Sequence, residues 1–139
     1  MNCPVCRKEM IVVEYASVEL DHCLECRGVW FDRDELEQLL GSINLRVEDM
    51  HLKAAADSII ASRGEKPRRC PLCRKNMKKI SVGENDPVVL DRCERHGGYW
   101  FDGGELTKVI RKNLPEGEWK HVGGFIGDIF GDEMKKEES

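Results

Sequence analysis

Seven cysteines and one histidine occupy the eight matching places of an internal repeat, and no other feature of the chain restricts its fold as tightly. Cys3-Pro4-Val5-Cys6 returns as Cys70-Pro71-Leu72-Cys73, and Cys23-Leu24-Glu25-Cys26 returns as Cys93-Glu94-Arg95-His96. Trp30-Phe31-Asp32 and Glu35-Leu36 return as Trp100-Phe101-Asp102 and Glu105-Leu106. The offset is 67 residues at the first pair and 70 at the tryptophan, so the second copy holds three extra residues between its ligand pairs. A structural zinc site takes four soft or borderline ligands, commonly as two Cys-x-x-Cys pairs some distance apart. Two intervening residues let one tight turn aim both side chains at one ion, and Pro4 and Pro71 stiffen that turn by fixing φ. The pattern predicts one Zn2+ on Cys3, Cys6, Cys23 and Cys26 and a second on Cys70, Cys73, Cys93 and His96, two per chain. The alternatives are a disulfide framework or redox-active pairs. A disulfide partner cannot be exchanged for histidine, seven is an odd number of cysteines for bridges, and a thioredoxin-like βαβ pattern is absent.

Each copy spans about forty residues, too few to bury enough apolar surface alone, and a metal is the usual remedy. Metal binding is then part of the folding free energy. Aromatic residues are scarce at 6% and charged ones abundant at 35%, as suits small metal-stapled units. The formal net charge of −4 is unevenly spread. Residues 1–43 carry a net −5, 44–64 balance, 65–114 carry +5, and 115–139 carry −4. The two copies thus share a frame and differ in surface. No apolar run approaches the length needed to cross a bilayer, so no membrane role is expected. The N-terminus opens on a cysteine knuckle, not on a basic run and an apolar core. A reducing cytoplasm is the expected compartment.

From Glu9 to Asp21 the alternation of apolar residues predicts a β-hairpin turning at Ala16-Ser17, which brings the second cysteine pair back beside the first. Gly28 and Gly98 follow the second pairs, where φ > 0 is often required. Trp30 and Phe31 are expected in a small core under the hairpin. Asp32-x-x-Glu35 resembles a capping box opening a helix whose apolar stripe is Leu36, Leu39 and Leu40, and Gly41 stops it. Residues 44–63 are read as a longer connecting helix around the Ala54-Ala55-Ala56 run, ended by Gly64, with His51 solvated upon it. The second copy repeats the plan, with a longer tip at Gly83–Pro87 and a helix opened by Asp102 and weakened by Gly103-Gly104. Beyond Asn113, Phe125, Ile126, Ile129 and Phe130 stand among glycines, followed by a charged end. The expected architecture is a small metal-stabilised α+β chain, two tandem zinc ribbons of hairpin plus short helix joined by a helical connector. The segments are a four-cysteine ribbon at 1–43, the connector and linker at 44–69, a second ribbon with three cysteines and one histidine at 70–113, and a glycine-rich tail at 114–139.

These motifs resemble the transcription-factor-type (TFIIB-like) zinc-ribbon family. The first copy matches at Cys3, Pro4, Cys6, Cys23, Cys26, Gly28, Trp30, Asp32, Glu35 and Leu36. The second matches at Cys70, Pro71, Cys73, Cys93, Gly98, Trp100, Asp102, Glu105 and Leu106, with His96 where the family usually has cysteine. The resemblance covers roughly residues 1–41 and 70–111 and implies the ribbon fold and its metal. It does not carry a function with it.

Three functional classes follow. The first is an adaptor or regulator in a macromolecular complex, with the ribbons as rigid pegs and an unidentified protein partner. The tail residues Phe125, Ile126, Ile129 and Phe130 would dock on that partner, on the chain's own ribbons or on a second copy. The second is nucleic-acid binding through Arg68, Arg69, Arg74, Lys75, Lys78, Lys79, Arg92 and Arg95, a cluster suited to phosphate. Its alternative is a solvated face or a complement to the acidic first copy, and the chain as a whole is acidic. The third is an enzyme. Four protein ligands at each metal leave no open position for water, and the sequence names no catalytic partner for His22 or His121, so no catalysis is expected. The sequence favours the adaptor.

Overall fold

The computed structural model describes residues 1–15, 17–83 and 85–113. Both copies build the same unit. In the first, β1 (Ile11–Tyr15) and β2 (Val18–His22) form an antiparallel hairpin, with Val13 opposite Leu20 and Val12 opposite Asp21. Ser17 turns it in the left-handed region at φ 66°. A short strand β3 (Val29–Phe31) adds to β2, and α1 (Arg33–Gly41) packs back across the sheet. At the start of α1, Glu35 reaches back to accept the Asp32 N–H at 2.9 Å, and Leu36, Leu39 and Leu40 are wholly buried.

The second copy follows with β5 (Lys78–Val82), β6 (Val88–Arg92), β7 (Tyr99–Phe101) and α3 (Glu105–Asn113). Its three extra residues lie in the hairpin tip, where Gly83 and Asp86 take positive φ. The helix begins two residues later than its counterpart in the first copy, because Gly104 sits at φ +84°.

The two units are fused. β3 and β7 pair antiparallel, Val29 with Phe101, Trp30 with Trp100 and Phe31 with Tyr99, making one seven-stranded sheet. Its order, β1-β2-β3-β7-β6-β5 and then the two-residue β4 (Lys53–Ala54), has an approximate two-fold between β3 and β7. One face carries Leu20, Val29, Phe31, Leu90, Tyr99 and Phe101 and packs against both helices in a single core. There Phe31 meets Phe101 edge to face, ring centres 5.6 Å apart, a pairing worth about 0.5–1.5 kcal/mol beyond burial.

The single connecting helix expected over 44–63 is not formed. The segment holds a 3-10 turn (Val47–Met50), a two-residue strand β4 (Lys53–Ala54) and a short helix α2 (Asp57–Ser62). Asn44 and His51 take positive φ and break any continuous helix. Tertiary contacts override the alanine propensity: Met50 is buried in the shared core, and Lys53 and Ala54 pair with Ser81 and Ile80 on the edge of β5. His51 is exposed.

Candidate metal centres

Four tight turns carry the eight candidate ligands, and all four have one design. In each, the carbonyl of the first ligand accepts the N–H of the residue four places on: Cys3 from Arg7 at 2.9 Å, Cys23 from Arg27 at 2.9 Å, Cys70 from Arg74 at 2.8 Å, and Cys93 from Gly97 at 2.7 Å. That last residue is left-handed every time, at φ 62°, 67°, 63° and 70°. The positive φ expected at Gly28 and Gly98 therefore falls one residue earlier, at Arg27 and Gly97. Inside the turns, backbone N–H groups point at sulfur. Val5 and Cys6 donate to Cys3 Sγ, both at 3.3 Å, Leu72 to Cys70 Sγ at 3.4 Å, and His96 to Cys93 Sγ at 3.4 Å. Such donors favour thiolate over thiol.

The hairpins bring the turns together. The sulfurs of Cys3, Cys6, Cys23 and Cys26 all lie within 4.8 Å of one another, as do those of Cys70, Cys73 and Cys93. Cys3 and Cys26 are 3.6 Å apart and Cys73 and Cys93 3.7 Å. A tetrahedron with Zn–S of about 2.3 Å has edges of about 3.8 Å, so the spacing fits zinc. None of the seven forms a disulfide. Without a cation the thiols do not ionise alike: backbone N–H donors hold Cys73 below its ordinary value, and in Cys23 they outweigh burial, whereas burial pushes the Cys26 thiol far up and Cys70 up to about 11. A bound dication removes that cost.

His96 holds the backbone place of Cys26, but its side chain is exposed, and its ring is not a member of the three-thiol group. His22, which the sequence left without a partner, is buried with Nδ1 3.1 Å from the Gly28 carbonyl. Burial holds its pKa below the ordinary value, so it is a neutral ring donating to that turn.

The glycines after the second pairs have a role the sequence did not disclose. A Cβ on Gly28 would stand 2.2 Å from Trp100 Cζ2, and one on Gly98 would stand 2.3 Å from Trp30 Cζ2. Each indole therefore lies on the metal turn of the other ribbon. Trp30, Trp100, Met10, Met77 and the buried cysteines of both clusters form one cluster on the second face of the sheet. The Trp-Phe pairs are core, as expected, but they join the two units.

The basic residues do not form one free patch. Lys79 Nζ lies 2.7 Å from Asp91 Oδ1 and 3.2 Å from Glu65 Oε1, and its side chain is 9% exposed. Asp91 is wholly buried, and burial raises its pKa to about 6 despite that cation. Lys78 pairs with Glu94 at 2.8 Å, and Arg92 lies over the Tyr99 ring at 5.5 Å. Arg68 is half-buried, while Arg69, Arg74, Lys75 and Arg95 are exposed around the second centre. A cavity of about 420 Å³ between α3, the start of β6 and the residues just after α2, lined by Arg63, Glu65, Val89, Glu105 and Lys108 among others, includes none of the candidate ligands. Phe125, Ile126, Ile129, Phe130 and His121 lie outside the described residues.

Two hairpin-borne clusters of this geometry define a tandem zinc-ribbon protein with two zinc sites. The chain belongs to the family described as transcription factor zinc-finger, whose model matches residues 2–42 and 69–112. No curated protein and no solved structure matches it. No helix among the described residues is long and apolar enough to cross a membrane.

Proposed function

We propose that the chain is a non-catalytic adaptor whose two zinc centres present rigid apolar tips to a protein partner. The observation that carries this reading is the exposure of Val5 (37%), Leu24 (59%) and Leu72 (45%) on the metal turns. Aliphatic side chains held out on stiff turns, with no neighbour among the described residues to bury them, suit contact with another protein. The alternative is nucleic-acid binding, favoured by Arg69, Arg74, Lys75 and Arg95 around the second centre. It is weakened by the engagement of Lys79, Lys78 and Arg92 elsewhere. The deciding experiment is capture from native extract, with and without nuclease, by the wild-type chain and by Leu24→Glu/Leu72→Glu. The adaptor reading expects a nuclease-insensitive partner that the double variant loses while keeping both zincs. Partners removed by nuclease and retained by the variant would favour the nucleic-acid reading.

His96 is the proposed fourth ligand of the second centre, because its turn is built like the other three. Metal analysis of His96→Ala, purified reduced and without chelator, is expected to find one zinc per chain. Two zincs in that variant would assign the fourth place to another group.

A further inference from the structure

The sheet face that carries both tryptophans holds a cation in the second ribbon that the first ribbon lacks. Lys79 and Asp91 stand opposite each other on β5 and β6. The Lys79 ammonium lies 2.7 Å from Asp91 Oδ1 and 3.2 Å from Glu65 Oε1, and it donates to the Lys66 carbonyl at 2.7 Å. Glu65 and Lys66 follow α2, so a segment from outside the ribbon closes this site. Ser81 and Val89, opposite each other on the same face, are buried.

The first ribbon keeps the carboxylate and loses the cation. Val12 stands opposite Asp21 and is 63% exposed. Glu14 and Glu19 take the places of Ser81 and Val89, and both are exposed. Among the described residues, Glu14, Glu19 and Asp21 form no ion pair. Burial raises the Asp21 carboxyl above its ordinary range, Asp32 and Glu19 add to this, and the chain's amino group acts against them. These carboxylates do not gather as metal ligands do. Among the described residues, only the two thiol sets bring three or more donor atoms within 4.8 Å of one another. Acids spread over two strands around an exposed aliphatic side chain suit cations spaced along a chain, not a single ion.

We propose that this face receives a basic, extended segment of a partner protein. A lysine or arginine of that segment lays its stem over Val12 and sets its charge at Asp21 and Glu19, as Lys79 sets its own at Asp91 and Glu65. The net −5 of residues 1–43 favours such a partner over nucleic acid. The face rests on the adaptor reading only in taking the partner to be a protein. It shares no residue with the tips Val5, Leu24 and Leu72, so either surface can fail without the other.

Titration of the full-length, zinc-loaded protein with pentalysine, followed through backbone amide shifts, tests this. The Val12, Glu14, Glu19 and Asp21 amides are expected to move first and to saturate together, and added salt is expected to weaken the binding. Val12→Lys supplies from within the ammonium that Lys79 supplies in the second ribbon. It is expected to bind pentalysine at these amides at least about tenfold more weakly than Val12→Met, which keeps the apolar contact without the charge. Both variants are expected to hold two zincs, since Val12 is exposed. Equal binding by the two variants would overturn the proposal. So would shifts as large at the exposed carboxylates Asp34, Glu37 and Glu48, which would reduce the binding to net charge. Shifts at Val12 and Asp21 that grow with protein concentration before any peptide is added would assign the face to a second copy and overturn it as well. A captured partner lost by Leu24→Glu/Leu72→Glu but kept by Val12→Lys would leave the adaptor reading standing and remove this one.

Discussion

The two ribbons share a backbone plan and differ in what lies on them. In the second, the connector runs along the edge of β5, Asp91 is wholly buried, and Lys79 is held between Asp91 and Glu65. In the first, Val12 stands in the place of Lys79, and Asp21 in that of Asp91 is only half-buried. The metal turns are alike in every hydrogen bond that closes them, so the difference does not arise at the metal. Among the described residues, it arises because the connector lies along the outer edge of β5, and no strand lies beyond β1. A duplicated frame fixes the ligands and the sheet; the segments between copies decide which polar groups are buried.

The largest test asks whether the units are independent. Structural zinc contributes apparent binding free energies of about 10–16 kcal/mol in small zinc modules, so a lost site unfolds its own ribbon. Here each indole rests on the other ribbon's turn. Cys23→Ser is therefore expected to lower the zinc content below one per chain, and to abolish amide protection in β5 and β6 as well as in β1 and β2. A variant holding one zinc with an intact second ribbon would show that β3–β7 pairing joins two self-sufficient modules.

The next test separates the ion pairs. Removing one partner of a buried pair costs about 3–5 kcal/mol, so Lys79→Met is expected to lower the denaturant midpoint strongly. Lys8 pairs with Glu25 at 2.7 Å in full solvent, and Lys8→Met is expected to leave the midpoint in place. Equal effects would mean the connector does not shield Asp91. The glycine contacts come third. Gly28→Ala and Gly98→Ala place a Cβ inside a rigid indole, and each is expected to cost at least about 3 kcal/mol, the upper end for overpacking. Gly98 is the worse case, because its Cβ also meets the Phe31 carbonyl at 3.1 Å. Urea unfolding of the two variants orders them.

Much of this was legible before any coordinates, because ligand spacing, hairpin alternation and the Asp-x-x-Glu signature are local. The seven thiols, the buried Trp-Phe pairs and both short helices followed from them. The joint sheet did not follow. Val29–Phe31 and Tyr99–Phe101 are three-residue strands buried on both faces, and a run without alternation carries no strand period. Residues 44–63 misled because alanine propensity is local, whereas Met50 and the β5 edge act at long range. Gly28 and Gly98 were singled out for backbone freedom; their reason is the indole of the other copy, which no spacing within one copy discloses. The apolar residues inside the turns, Val5, Leu24 and Leu72, were the overlooked signal: a tight metal turn has no interior in which to bury them.

The finest contrast lies in one residue that both ribbons use alike. Glu35 and Glu105 each accept the N–H of the aspartate three residues earlier, Asp32 at 2.9 Å and Asp102 at 2.7 Å. Burial raises both carboxyls above their ordinary range. Both also face carboxylates, Asp32, Asp21 and Glu19 around Glu35 and Asp102, Asp91 and Glu65 around Glu105, and Glu105, the more deeply buried, is pushed up to about 9. A carboxyl raised on folding keeps its proton in the native state after the unfolded chain has lost it. Stability therefore falls as pH rises from the unfolded value of 4.5 towards 9. The slope is bounded at about 1.4 kcal/mol per pH unit for one proton, and it lies below that bound because Glu105 keeps some solvent contact. The window to use is pH 7 to 9, where acid does not strip thiolate from metal. Over it the wild type is expected to lose stability to urea, and Glu105→Gln, which keeps the acceptor for the Asp102 N–H, is expected to flatten the loss. Glu35→Gln is expected to leave the slope of the wild type. Equal slopes in all three proteins would place both carboxyls in the same environment, and the second ribbon would then be no more closed at its helix start than the first.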